Sequence, residues 1–248
     1  MIVKQVQYAI QILEFFANRK VPASLSQIAD HFGWPRSSTF NLIETLSMNG
    51  LMYEPKHRGG YYPTHRLLKL AQQIIDNGPI SDGLLAMVSR VAAQTGETAG
   101  IAALSGQNAV FLEVVESSQP IRYFAHVGQR VPLPATSVGR ALLSMITPKQ
   151  RSSLLAKAEY KHFAPAALMT PEEVEEEIER FAERGWFLNI NGYIPELLGL
   201  AVPMPLEDRQ FCLMMAGPAY RNENRLAELV DILLSEVKNY MVSSPDFS

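Results

Sequence analysis

The chain has one cysteine, Cys212, in 248 residues. A single thiol forms no internal disulfide framework and is too few for a zinc cluster. Long apolar runs are missing as well, since no stretch approaches the ~18 consecutive apolar residues of a membrane span. The opening MIVKQVQYAIQILEFF lacks the basic start, long apolar core and small-residue cleavage site of a secretory leader. These absences lead to the expectation of a soluble, cytoplasmic protein with no membrane partner. There is no Walker-type phosphate loop, no nucleophile paired with a base and no metal constellation, so neither an enzyme, a cofactor nor a bound metal is expected.

What is present is enough apolar material for a packed core: 47% of the residues are hydrophobic and 19% charged. The net charge of −3 is unevenly spread. The first 76 residues carry 8 Lys+Arg against 5 Asp+Glu, the remainder 14 against 20. A basic segment on an acidic body suits a module that meets phosphate backbones, although chance scatter alone could give so small an excess.

Apolar spacing then locates the elements. Val6, Ala9, Ile10, Leu13 and Phe16 follow helical periodicity and predict one buried face. A second helix opens at Ser24, where Ser24 and Gln27 form a capping-box pattern, and ends at Gly33. Pro35 suits the first turn of a third helix running to about Met48. Two short helices around a Gly-containing turn are a helix-turn-helix. Strands are expected at 51–54 and 60–62, with the loop Pro55-Lys56-His57-Arg58-Gly59 between them as a wing. Another helix covers 65–75, and Asp76-Asn77-Gly78-Pro79 breaks it. Beyond it, helices are expected at 82–94, 137–144, 148–156, 171–184 and 223–242. Strands are expected at 99–104, 109–115, 121–127, 186–190, 198–203 and 211–216. The division is a winged helix-turn-helix domain over 1–64, a linker helix and boundary over 65–79, and an α/β domain over 80–248.

On the third helix Thr39, Leu42, Ile43 and Leu46 share the inward side. The other side carries Ser37, Asn41 and Glu44 with Ser38 and Thr45 flanking, and Arg36 and Phe40 lie between the faces. Early residues of such a helix reach base edges in the major groove. Ser, Thr, Asn and Arg can bond bases or phosphates, and Phe40 can touch thymine methyls. Lys56, His57 and Arg58 at the wing tip would hold phosphate or a minor groove. A polar outer face is also what an ordinary solvated helix shows.

The run SLSQIADHFGWPRSSTFNLIETLSMNGL with the following YEPKHRGGYYPTHRLLKLA resembles the winged helix-turn-helix of the IclR family of bacterial regulators. Pro35, Arg36, Ser37 and Ser38 match the start of that family's recognition helix, and Leu42, Ile43, Thr45 and Leu46 its later part. Asn41 stands where the family usually has Arg, so the operator does not carry over. A second segment, from Gly128 to Ala141 (GQRVPLPATSVGRA), is similar to the family's effector-domain signature. Read from its residues alone, it is a loop delivering small side chains to a helix N-terminus. There Thr136, Ser137, Val138 and Gly139 either receive an anion on free amides or simply cap and pack the helix. A third match runs from Arg184-Gly185-Trp186 to Pro203 and on to Phe211–Pro218. Against the family's acidic, Cys/Ser and Ser positions, this chain has Asn189, Gly199 and Met214 or Ala216.

The resemblance implies an α+β protein whose C-terminal domain is α/β, GAF-like and effector-binding. It implies a ligand-responsive transcription factor, repressor or activator, acting as a homodimer or dimer of dimers on double-stranded operator DNA. A pocket of Thr136, Ser137, Val138, Gly139, Asn189, Leu197, Gly199, Met214 and Ala216 has few polar anchors. It would therefore favour an aromatic or medium-sized organic acid, held by the Ser137 and Val138 amides with Asn189 as a neutral partner; rearranged contacts to a smaller metabolite are the alternative. A ligand-binding module or an enzyme carrying an accessory helix-turn-helix are the other classes considered. The Glu-rich stretch from Glu172 to Glu179 reads as a solvated helix face capped by Thr170, His126 as a core-edge histidine, and Cys212 as a packed strand residue.

Overall fold

A computed structural model describes residues 2–56, 59–76, 78, 80–206 and 209–243. The chain divides into two compact units, residues 1–79 and 80–248.

The first unit begins with α1 (Lys4–Arg19), α2 (Leu25–Phe32) and α3 (Arg36–Met48). The α1 helix buries Ile12, Phe15 and Phe16 and leaves Val6 59% and Ile10 52% exposed, so the expected face is rotated. Apolar residues run around most of this helix, and the side carrying two aromatic rings removes more surface from water. Ser24 and Gln27 form both bonds of the capping box that starts α2. Gly33 closes that helix at φ 67°, a left-handed position suited to glycine. Pro35 precedes the first turn of α3 as its N-cap instead of lying within it. Ile28, Ile43, Leu46 and Met52 complete the small core. The wing strands are shorter than expected: β1 (Met52–Tyr53) pairs antiparallel with β2 (Tyr62–Pro63). Ala23 bridges Tyr61, adding a third extended segment that the spacing did not reveal. After the wing comes α4 (Arg66–Ile75), which buries no residue.

The second unit follows the order α5 (Asp82–Thr95), β3 (Thr98–Ser105), β4 (Asn108–Val115), β5 (Arg130–Pro132), α6 (Ser137–Ser144) and α7 (Pro148–Leu155). It continues with α8 (Pro171–Arg184), β6 (Phe187–Ile190), β7 (Leu197–Leu206), β8 (Arg209–Pro218), α9 (Ala219–Asn222) and α10 (Leu226–Ser243). The strands form one antiparallel sheet in the order β5-β4-β3-β8-β7-β6, so the architecture is mixed α+β. Side chains alternate between its faces. Ile101, Leu200, Leu213 and Met215 pack under Val88 of α5 and Leu229 and Leu233 of α10. Ala102, Phe187, Ala201 and Met214 pack on the other face with Leu142 of α6 and Val174 of α8. Helical spacing from Val174 turns Phe181 inward too, but its side chain lies outside the described set.

The strand expected at 121–127 is absent and a three-residue strand appears at 130–132 instead. The alternation at 121–127 is nevertheless real, with Tyr123 and Ala125 buried and Ile121, Phe124 and Val127 exposed. The segment forms no ladder, and a Thr98 hydroxyl holds it: Thr98 Oγ1 donates to the Tyr123 carbonyl at 2.7 Å. Nearby, Glu97 is 1% exposed and accepts from both Arg221 Nε and Nη2, at 2.5 and 2.6 Å, and from Asn222 Nδ2 at 2.8 Å. This cluster ties α9 to the start of β3.

Leu233 is fully buried against the sheet. Leu233→Ala is expected to lower stability by about 2–5 kcal/mol, through lost transfer energy and the cavity left behind, as read from urea unfolding. A change below about 1 kcal/mol would contradict this placement of the core.

Candidate DNA-reading surface and ligand cavity

Thr39, Ile43 and Leu46 hold α3 against the first unit's core. Arg36, Ser37, Ser38, Asn41 and Thr45 are all exposed, as is Phe40 at 42%. The inward and outward faces of α3 are therefore those expected. Thr45 donates its hydroxyl to the Asn41 carbonyl at 2.7 Å, so that proton is already engaged within the helix. The N-cap of α3 is Pro35, which makes no side-chain cap bond. The amides of Arg36, Ser37 and Ser38 thus have no helical acceptor and remain open to a phosphate oxygen, a contribution that side-chain reasoning missed. Lys56 is exposed on the wing; His57 and Arg58 lie outside the described residues.

In the second unit a small cavity, of about 40 Å³, lies between the sheet and the start of α6. Its floor follows from the strand register. Asn189 pairs with Gly199, Gly199 with Ala216, and Ala216 with Thr98, a row across β6, β7, β8 and β3. Glycine and alanine in mid-row create the space, and Ser137 Oγ lies 3.1 Å from where a Cβ on Gly199 would stand.

The cavity brings together Thr136, Ser137, Val138, Asn189, Leu197, Gly199, Met214 and Ala216. Gly139, placed with them from the sequence, does not line it. A Cβ there would lie 2.2 Å from the Leu133 carbonyl oxygen, so this glycine serves close packing of α6 on the preceding loop. Thr136 combines two roles: it lines the cavity, and its hydroxyl caps α6 by accepting from Gly139 N at 3.0 Å while donating to the Pro132 carbonyl at 2.9 Å. Asn189 is a lining residue too, but its amide is engaged by backbone. Nδ2 donates to Ala135 O at 2.6 Å and Oδ1 accepts from Gly192 N at 2.9 Å. Arg140 adds two more bonds, to Pro134 O at 3.0 Å and Leu188 O at 2.7 Å. Burial pulls its guanidinium down to about 10, partly opposed by Glu177, which leaves it charged at neutral pH. Asn189 and Arg140 together staple the loop before α6 to β6.

Sequence reading missed Phe111, Tyr123, Val131, Tyr193 and Met215, which also line the cavity. Only Tyr123 carried a local sign, the period-two alternation of its segment. Burial, with Tyr193 facing it, pushes the Tyr123 phenol up to about 12, against a lowering bond from Gln129. Burial raises Tyr193 as well. His126 is exposed instead of sitting at the edge of a core. Cys212 is buried in β8 and burial pushes its thiol up, so it packs without reactive character. Thr170 and Glu173 cap α8 reciprocally. Among the described residues no group of three or more His, Cys, Asp or Glu could hold a metal, and no helix is long and apolar enough to cross a membrane.

A helix-turn-helix with an exposed recognition face, in a chain that also builds an α+β unit around a cavity, has the build of a DNA-binding regulator. Residues 5–54 match the model of the IclR helix-turn-helix domain, and residues 72–239 that of the bacterial transcriptional regulator IclR C-terminal domain. The chain belongs to the IclR family, and is a transcriptional regulator, not an enzyme. It is 23% identical over 203 residues to the HTH-type transcriptional regulator XynR of Escherichia coli (strain K12), covering 82% of this chain and 81% of that protein. It is 22% identical over 241 residues to the acetate operon repressor of Salmonella typhimurium, covering 95% and 88%. Its fold superposes on the Thermotoga maritima IclR crystal structure with a TM-score of 0.77 at 22% identity, covering 95% and 96%. An IclR homolog from Microbacterium hydrocarbonoxydans, complexed with 4-hydroxybenzoate, gives 0.72 at 22% identity, covering 98% of each chain.

Three tyrosines make the second unit sensitive to alkali. Below pH 10 both folded and unfolded chains keep these protons. Above it the unfolded tyrosines ionise, while Tyr123 and Tyr160 hold theirs to about 12 and Tyr193 is also raised. Their stability contribution is therefore complete below pH 10 and falls as pH rises towards 12. Thermal unfolding should show this loss, and Tyr123→Phe should flatten it; an unchanged alkaline limb would contradict the raised Tyr123.

Proposed function

We propose that this regulator binds operator DNA through α3 and the wing, and that an organic acid entering the cavity changes its operator affinity. The reading divides the chain into a DNA-binding domain over 1–64, a linker helix and boundary over 65–79, and an effector and oligomerisation domain over 80–248. The observation that carries the effector assignment is the apolar cavity over the Gly199–Ala216 floor, lined by Ser137 and Val138 of the first turn of α6, whose amides have no acceptor within the helix. Those amides and the helix dipole favour a carboxylate, and none of the described residues lining the cavity carries a charge to compete. Aromatic or medium-sized acids fit such walls, and the complex of the Microbacterium hydrocarbonoxydans relative with 4-hydroxybenzoate supports that class. Asn189 acts here through the backbone it fastens.

DNA contacts are assigned to Arg36, Ser37, Ser38, Phe40, Asn41 and Thr45, with Lys56, His57 and Arg58 of the wing. A palindromic operator calls for two copies of this unit. The apolar side of α4 offers a contact between copies, with Leu68 58%, Ile74 72% and Ile75 65% exposed.

Two measurements test the reading. Binding to the chain's own promoter region, followed by fluorescence anisotropy, should weaken steeply with salt and saturate at an even number of chains per site. Arg36→Ala should weaken it and Lys56→Ala should reduce the slope by about one phosphate contact; salt-independent binding would overturn the DNA assignment. Calorimetric titration with a panel of organic acids should give binding to aromatic or medium-sized members. Binding confined to glyoxylate-sized acids would sink the effector class.

A further inference from the structure

The cavity has two polar ends set apart by the sheet. At one end Ser137 is 3% exposed, and its hydroxyl has no hydrogen-bond partner among the described residues. It faces Gly199 on β7 beside the open amides of α6. At the other end the Tyr123 backbone is tied to Thr98 on β3, two strands away from Gly199 across the same register row. Two interstrand steps separate the Thr98 and Gly199 backbones by roughly 10 Å. Between them the lining is apolar: Phe111, Val131, Val138, Leu197, Met214 and Ala216.

The state of the Tyr123 hydroxyl gives that far end its chemistry. Tyr123 is 8% exposed, and its oxygen accepts from Gln129 Nε2 at 3.3 Å. Gln129 is itself held, because its Oε1 accepts from His126 N at 3.2 Å. The phenol oxygen is thus approached by a donor, and its own proton has no acceptor among the described residues. Tyr193 lies beside it in the cavity, braced by an edge-on contact with Phe163 at 5.4 Å, and its hydroxyl is likewise without a described partner. A buried donor with no acceptor is costly to leave unmet, and both tyrosines line the cavity.

We propose that Tyr123, with Tyr193 beside it, determines effector specificity by requiring a hydrogen-bond acceptor at the end of the ligand opposite its carboxylate. This inference rests on the reading of the cavity as the effector site. The ligand it selects is a flat, two-ended acid: a carboxylate at Ser137 and the α6 amides, one ring between the apolar walls, and an oxygen function such as a phenol at Tyr123. A ring with an apolar group at that position leaves the Tyr123 proton unmet and binds less well.

The test compares 4-hydroxybenzoate with 4-methylbenzoate, which has similar shape but no acceptor, by calorimetry on the full chain and on Tyr123→Phe. The wild type should bind the hydroxy acid at least about tenfold more tightly, or about 1.4 kcal/mol. Tyr123→Phe should bind the two alike while retaining its affinity for 4-methylbenzoate, which also shows that the variant's cavity is intact. A wild type without preference, or a variant that keeps the preference, overturns the role of Tyr123 while leaving the effector site standing. Failure of the wild type to bind either acid overturns the aromatic-acid reading and this inference together.

Discussion

Where α6 begins, the helix lies directly on the loop that leads into it. No side chain fits at Gly139, because the Leu133 carbonyl occupies the place of its Cβ. That close approach puts Thr136 in position to cap the helix and leaves the Ser137 and Val138 amides without an acceptor inside the helix. The same loop is stapled sideways to β6 by Arg140 and Asn189. Side-chain bonds of Arg140, Asn189 and Thr136 and one glycine therefore fix that end of the cavity. Preorganisation of this kind lowers the ordering cost of binding.

The floor of the cavity depends on the sheet. Its two faces have opposite duties: under α5 and α10 it presents large aliphatic residues, and under α6 it presents glycine and alanine in mid-row. Packing density in protein interiors is high enough that a row of small residues leaves usable space only when the covering helix is held off by its own contacts. The α6 staple does that. Opposite it, the Thr98 hydroxyl substitutes for a missing strand partner and brings Tyr123 in from a loop. Regulation then requires that ligand binding favour one arrangement of the protein over another, by no more than its difference in affinity for the two.

The DNA-reading unit follows a different economy. Its core is small and aromatic, and the residues that meet solvent on α3 contribute little to holding it together. A change of residue at Asn41, on that exposed face, alters the surface α3 presents without touching the core. In the cavity, Gly199, Met214 and Ala216 form part of the wall, so a change of residue there alters pocket shape together with chemistry.

Local order was legible in the sequence wherever a short-range rule controls it. Capping boxes at Ser24 and Thr170, the stop at Gly33, the inward face of α3 and the long helices follow from spacing within a few residues. The motifs at Pro35–Leu46 and Gly128–Ala141 carried the family. Tertiary structure alone decided the rest, because those features join residues far apart in the chain. It chose the aromatic side of α1 over the Val6–Ile10 side, since only assembly shows which face buries more. It left 121–127 without a strand, because extension needs a neighbouring edge to become a ladder. It fastened Asn189 to the backbone around the cavity while keeping it on the wall, and made Gly139 a packing glycine. It also assembled Tyr123 and Tyr193 from separate loops into one cavity wall, a juxtaposition that no periodicity encodes.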